Sequence, residues 1–247
     1  MSVISIELVP RSTEALEAEL QLVKGQFPDV DTINIPDLLN LDLRSWQGGA
    51  LASRHFPHVI PHLRAIDFNL EAPDPFAPFF AAGDFDSVLV VTGDQPQDMS
   101  RRVYRTSVVR LIRALKDQRP AMKIYAGIDP YRSGIKEELD YARRKADAGA
   151  DGFFTQPFFD LRLMEIYRDL LVEYEVFWGI SPVTSDRSRD YWENRNNAIF
   201  PPDFEPTLEW NRDFARRALS FVRQSDAHVY FMPIRVDLVR YLEGILS

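Results

Sequence analysis

Eight short β-rich runs alternate with helix-patterned segments along the whole chain, and this alternation constrains the fold more than any other feature. The runs cover residues 3–9, 31–35, 62–68, 87–92, 123–127, 152–155, 175–179 and 228–232. Helical patterns lie between them at 12–24, 101–116, 136–148, 161–174 and 207–224. In the first of these, Ser12 is placed to cap the helix, acidic residues come early, and Leu16, Leu20 and Val23 share one face. Residues 41–58 and 186–204 carry Pro, Asn and Gly and read as long loops containing short helices. Eight strands alternating with helices over 247 residues predict an α/β fold, a (β/α)8 TIM barrel with parallel strands, formed by residues 1–247 as a single domain. An open doubly wound sheet is the competing architecture. It calls for a glycine-rich phosphate loop after an early strand, and neither GxGxxG nor GxxxxGK[ST] occurs.

Apolar residues make up 45% of the chain and charged residues 27%, enough for a large core under a polar surface. The formal charge of −8 argues against nucleic acid and anionic membranes as partners, because both attract basic surfaces. The Arg-rich stretch 100–105 is a local exception, suited to steering a polyanionic small molecule. With no cysteine, the chain has no disulfide, thiolate metal site or Cys nucleophile. Residues 1–7 lack the basic start of a signal peptide, and no apolar run approaches the roughly 20 residues that span a bilayer. A cytoplasmic location is expected, and homo-oligomerisation is left open.

In a barrel of this kind, polar residues at the C-terminal ends of the strands converge on the active site. Glu7 alternates with Ile4, Ile6 and Leu8 and so points into the barrel, where a carboxylate is ion-paired, solvated by a cavity, or protonated with a raised pKa suited to a general acid. Asp94 follows Gly93 at the mouth of the fourth run, as a site residue or as a turn and helix cap. Gln156 ends the sixth run, and its amide suits a heterocycle edge that presents donors and acceptors together. A bond to neighbouring loop backbone is the alternative. Gly179 leaves room for a flat ligand, and Arg235 is placed to bind a carboxylate or to close the barrel with a salt bridge. His55, His58 and His62 have helical metal-ligand spacing, but Pro57 and Pro61 interrupt any helix, so no metal site is expected. His62, just before the third run, reads as a site or rim residue. No GxSxG elbow supports a serine nucleophile.

These residues fall in segments that together resemble the catalytic domain of methylenetetrahydrofolate reductases. The segments are Ser5-Ile-Glu-Leu-Val-Pro10, Pro61-His-Leu-Arg-Ala-Ile-Asp67, Val91-Thr-Gly-Asp-Gln-Pro96, Gly149-Ala-Asp-Gly-Phe-Phe-Thr-Gln-Pro-Phe-Phe-Asp160, Gly179-Ile-Ser-Pro-Val183 and the strand leading to Arg235. Their shared order carries the resemblance over nearly the whole chain.

The resemblance implies reduction of 5,10-methylenetetrahydrofolate to 5-methyltetrahydrofolate, with hydride from FAD that NAD(P)H has reduced. It implies Glu7 as general acid, Asp94 as a catalytic residue contacting both flavin and pterin, and Gln156 and Arg235 as further substrate-binding residues. At the cofactor it implies Asn34, His62, Thr92, Gly93, Asp94, Tyr104, Ala126 and Lys145. Thr92 stands where the family has Arg near the flavin phosphates, and Asn34 where it usually has Thr. The segment 126–134 lacks the usual Pro-Glu-x-His-Pro, and Asp186 takes the place of an aromatic, with Tyr191 and Trp192 nearby. Two alternatives follow from these departures and from the short chain: a flavin-free reductase with direct NAD(P)H hydride transfer, and a folate-binding, partner-dependent subunit without independent activity.

Overall fold

A computed structural model describes residues 2–96, 102–225 and 227–246. In chain order the elements are β1 (Ile4–Glu7), α1 (Thr13–Gln26), β2 (Thr32–Ile35), α2 (Ser45–Ala52), β3 (His58–Arg64), α3 (Ala77–Ala82), β4 (Ser87–Val91), α4 (Val108–Gln118), β5 (Lys123–Ile128), α5 (Ile135–Asp147), β6 (Gly152–Thr155), α6 (Leu161–Leu170), β7 (Glu175–Ile180), α7 (Asp186–Asn196), α8 (Leu208–Gln224), β8 (His228–Phe231) and α9 (Leu238–Leu242). The strands pair in chain order, all parallel, into a closed barrel. The seam between β1 and β8 closes with Ile4 opposite Val229, Ser5 opposite Tyr230 and Ile6 opposite Phe231.

Strand parity divides the core in two. On β1, Ile4 and Ile6 join the large core between sheet and helices, which also takes Ile33, Leu63, Val90, Ile124, Phe153, Trp178 and Phe231. Residues of the opposite parity, including Ile60, Leu89, Tyr125, Phe154, Phe177 and Tyr230, fill the barrel interior. Both faces of each strand are therefore covered, as parallel strands require. Phe154 and Phe177 stack at 4.1 Å, with Tyr125 edge-on to both at 5.2 and 5.3 Å. These rings plug the barrel below the site.

The outer helices bury apolar stripes such as Val108, Leu111, Ile112 and Leu115 of α4. Side-chain caps from Ser12, Ser107, Asp160, Ser185 and Thr207 fix where α1, α4, α6, α7 and α8 begin. At the N-terminal rim, Glu175 accepts from Tyr125 Oη at 3.0 Å and lies 3.4 Å from His228 Nε2, while His228 Nδ1 accepts from Val3 N at 3.1 Å. The hydrogen bond with His228, with those from Tyr125 and the charge of Lys123, holds the Glu175 carboxyl down at about 2 against the effect of burial. This rim ties β1, β5, β7 and β8 together and leaves the opposite end open.

Several boundaries differ from the sequence expectation. The third strand is residues 58–64 rather than 62–68, and Ala65–Asp67 form a 3-10 turn. Pro61 lies where pairing with β2 ends and before pairing with β4 starts, opposite Ile35 and ahead of the His62–Leu89 pair, so its missing N–H costs the ladder little. The helix expected at 101–116 begins only at Val108, where Ser107 caps it; residue 101 of that stretch lies outside the described residues. The helix after β6 stops at Leu170 instead of 174. The segment 186–204, read as a long loop containing short helices, opens with the eleven-residue helix α7.

Candidate active site

A cavity of 420 Å³ opens at the C-terminal ends of the strands and contains Glu7, His62, Asp94 and Gln156 in its lining. Glu7 ends β1 opposite Asn34 and is half-buried. Tyr230, reaching across the barrel seam from β8, donates its phenolic hydrogen to Glu7 Oε2. Burial pushes the Glu7 carboxyl up to about 7, and the Tyr230 hydrogen bond opposes that rise. The group therefore holds a proton near neutral pH and is able to deliver it into the cavity.

Below Glu7, a polar chain crosses three strands. Asn34 Nδ2 donates to Ser5 Oγ, and Asn34 Oδ1 lies 3.1 Å from His62 Nε2. Because the Asn34 amide hydrogens face Ser5, its oxygen takes the hydrogen of His62 Nε2, which leaves His62 Nδ1 as an acceptor. Burial lowers the His62 pKa to about 3, so the ring is neutral. His62 thus lies within β3 and faces the site, rather than preceding the strand.

The end of β4 is shaped by Gly93, whose φ of +86° suits glycine, and a Cβ there would meet Arg64 Nε at 2.7 Å. Arg64 is buried and donates to the Asp94 carbonyl at 2.6 Å. Its guanidinium lies 3.7 Å from Asp67, which is itself held at 2.8 Å by Arg44, and Arg44 also pairs with Asp37 at 2.8 Å. These contacts anchor the loops after β2, β3 and β4 to one another, leaving the Asp94 and Thr92 side chains exposed to the cavity.

Across the cavity, Lys145 reaches in from α5 and donates to the Gly127 carbonyl at 2.5 Å, with Glu138 at 3.6 Å. Glu138 also pairs with Arg132 and accepts from Asp129 N at 3.2 Å. Burial lowers the Lys145 pKa to about 8, against the raising effect of the Glu138 charge. Gln156 is set by its N–H bond to Ile128 O at 2.7 Å, and its side-chain amide has no hydrogen bond among the described residues. Thr155 Oγ1 accepts from Gly179 N at 2.8 Å and ties β6 to β7 just below it.

The structure thus gathers Glu7, His62, Thr92, Gly93, Asp94, Lys145 and Gln156 around one cavity, with Asn34 buried directly beneath. Three other expected residues are not in its lining. Ala126 is buried in the core outside the barrel; Tyr104 is on the segment before α4, its N–H bonded to Ile66 O; and Arg235 is exposed, with φ of +55°. The three histidines diverge: His55 meets Glu17 at 2.7 Å, His58 is exposed, and His62 faces inward. Among the described residues no group of three or more His, Asp or Glu is arranged to hold a metal. Tyr230, Asp37, Asp129 and Arg132 line the cavity without having been singled out from the sequence, and Arg64 appeared there only within a longer segment. Parity within the eighth run was the available signal for Tyr230.

The lining suits planar heterocycles, since Leu89, Val91, Phe154 and Met232 offer apolar walls and Gly93 and Gly127 allow close approach. It does not fit a bound diphosphate equally well. The lining cations are Arg64, Arg132 and Lys145, each facing a carboxylate, while Glu7, Asp37, Asp94 and Asp129 also line the space. Among the described residues each lining cation faces a carboxylate, Arg64 only at 3.7 Å and with its Nη1 outside any hydrogen bond.

The family description for methylenetetrahydrofolate reductase matches residues 51–219. The 5,10-methylenetetrahydrofolate reductase of Buchnera aphidicola subsp. Schizaphis graminum is 25% identical over 146 residues, covering 57% of this chain and 50% of that protein. That of Escherichia coli strain K12 is also 25% identical, covering 57% and 49%. The chain spans about half the length of the curated relatives it matches. Among solved structures, 2,3-dimethylmalate lyase superposes with a TM-score of 0.58 at 12% identity, covering 95% of this chain and 75% of that one. Oxaloacetate acetylhydrolase with oxalate gives 0.58 at 12%, covering 94% and 75%. At this identity the two structures share the fold alone. No helix among the described residues is long and apolar enough to cross a membrane.

Proposed function

The chain belongs to the methylenetetrahydrofolate reductase family, and on that premise we propose that it reduces 5,10-methylenetetrahydrofolate to 5-methyltetrahydrofolate in the cytoplasm. The observation that carries the reading is Glu7, a carboxyl at the floor of the cavity that stays protonated up to about pH 7. Gln156 and Asp94 line the cavity across from it and pair with the donor and acceptor edge of the pterin. Glu7 gives its proton to the substrate nitrogen that leaves as the five-membered ring opens. The carbon–nitrogen bond breaks and a 5-iminium cation forms on the substrate, near the Glu7 carboxylate that has just been generated. Hydride then adds to the methylene carbon, and the donor is oxidised by two electrons. Apolar walls keep water from competing for the cation, and neutral His62 places no positive charge beside it.

The hydride source divides into two readings. Family membership supports FAD, reduced in turn by NAD(P)H, with His62, Thr92, Gly93, Asp94 and Lys145 of the cavity lining at its site and Asn34 beneath them. The paired state of Arg64, Arg132 and Lys145 favours the second, direct transfer from a nicotinamide that visits the cavity and leaves. The role of Glu7 is the same in both. The visible spectrum of the purified protein and turnover with deuterated NAD(P)H distinguish them. A flavin band, with deuterium partly lost to solvent, supports the first. A colourless active protein with full stereospecific retention in the product methyl supports the second. Folate binding without turnover under any donor would refute both and leave a binding subunit.

A further inference from the structure

The Glu7 carboxyl has two oxygens with different surroundings. Oε2 accepts the phenolic hydrogen of Tyr230, and Oε1 has no hydrogen-bond partner among the described residues. The carbonyl oxygen of a carboxylic acid is its stronger acceptor, so a hydrogen bond donated to Oε2 favours the arrangement with the proton on Oε1. Tyr230 is itself fixed. It lies at the barrel seam opposite Ser5, edge-on to Phe154 at 5.1 Å and to His62 at 6.4 Å, and is 3% exposed. Its hydroxyl cannot serve as a second acid, because burial and the adjacent Glu7 charge both raise its pKa far above neutrality. It remains a hydrogen-bond donor at every working pH.

We propose that Tyr230 is a positioning residue for the Glu7 acid: by occupying Oε2 it assigns the transferable proton to Oε1, and it steadies the carboxylate left after transfer. This rests on the reading of Glu7 as the general acid. The other groups near Glu7 leave Tyr230 as the principal control. From β2 comes the uncharged Asn34 amide, and from β3 the neutral His62 ring. Farther around the cavity, Arg64, Arg132 and Lys145 are each paired with a carboxylate, and Asp37 is held by Arg44. Asp94 and Asp129 are the remaining acidic lining residues. A hydrogen bond donated to the charged form favours that form, so its loss makes Glu7 a weaker acid.

The test is Tyr230→Phe, which keeps the ring and its packing and deletes only the hydroxyl. Two readouts are taken on the full chain. Carbon-13 NMR of glutamate-labelled protein follows the Glu7 carboxyl directly, its signal assigned by its absence in Glu7→Gln. The pH profile of kcat with methylenetetrahydrofolate and NADH follows the acid in turnover. The expected result is a Glu7 titration about one pH unit or more higher in Tyr230→Phe, with the alkaline limb of kcat moving by the same amount. At pH 6, where the acid is protonated in both proteins, kcat should fall about tenfold, within the range that acid catalysis supplies, with KM unchanged. An NMR titration identical to that of the parent protein overturns the proposal. If the titration moves and the activity profile does not follow it, the Glu7 acid reading fails instead.

Discussion

Replacing Gly179 by alanine adds one methyl group where β7 passes the end of β6. The new Cβ would lie 2.3 Å from the Thr155 carbonyl oxygen, 2.8 Å from Met232 Cε and 3.0 Å from the Gln156 carbonyl carbon. Met232 is flexible and can move aside, but the other two atoms are backbone. Ordinary contact needs roughly 3.5 Å, so the end of β6 must retreat by about 1 Å. It is held against this by the Gly179 N to Thr155 Oγ1 bond at 2.8 Å, the Phe158 N to Gly179 O bond at 3.0 Å and the Gln156 N to Ile128 O bond at 2.7 Å. Gly179 does not have a positive φ, so the whole penalty comes from the collision. Overpacking of this kind costs about 1–3 kcal/mol, which lowers Tm by roughly 2–12 °C in a domain of this size. Because the displaced backbone carries Gln156, KM for the folate should rise about tenfold while kcat changes less. Gly25→Ala is the matched control, since a Cβ there meets nothing within 4 Å; in α1 it should stabilise by up to about 1 kcal/mol. Thermal unfolding and steady-state kinetics of both variants provide the assay. A Gly179→Ala protein with unchanged Tm and KM would refute the claim that β7 packing positions Gln156.

Two further perturbations probe the site and its support. Glu7 holds its proton in the folded state up to about pH 7, whereas the unfolded chain ionises it near 4.5. The folded state therefore binds the extra proton, and this group makes stability fall as pH rises from about 4.5 through 7. Glu7→Gln should remove that loss, raising Tm relative to the parent at pH 8 and much less at pH 5; equal differences at both pH values would contradict it. Asn211, only 2% exposed, accepts from Val183 N at 2.8 Å and donates to Val183 O at 2.8 Å and Thr207 O at 2.7 Å. Asn211→Ala should cost about 2–4 kcal/mol by orphaning both Val183 groups. Asn211→Asp should recover little, because a carboxylate cannot donate to the Val183 carbonyl, and thermal unfolding measures both.

The barrel was legible because its signal is repeated: each strand places one parity against helices and the other inside, and five helix patterns recur between the strands. Glu7 was legible by the same parity, as were Asp94 and Gln156 from their places at strand ends. Tyr230 was not, because its role depends on the β1–β8 seam, which joins residues 223 positions apart. Helix α7 was read only as a short helix within a loop, because its sequence is polar around nearly its whole circumference and buries only Trp192. Pro61 displaced the expected third strand, since a proline reads as a strand break unless the pairing around it is known. The Glu138–Lys145 pair spans two helical turns of α5, so its shared face could be read. That the face is buried against the β5 end could not.

The most direct test of the account is steady-state formation of 5-methyltetrahydrofolate from 5,10-methylenetetrahydrofolate and NAD(P)H by the isolated chain, with and without added FAD, beside Glu7→Gln. The account predicts turnover that declines above about pH 7 as Glu7 loses its proton, and near-complete loss of product in a folded Glu7→Gln protein. A Glu7→Gln protein that forms the product as fast as its parent, or a parent that forms none with any donor, would contradict it.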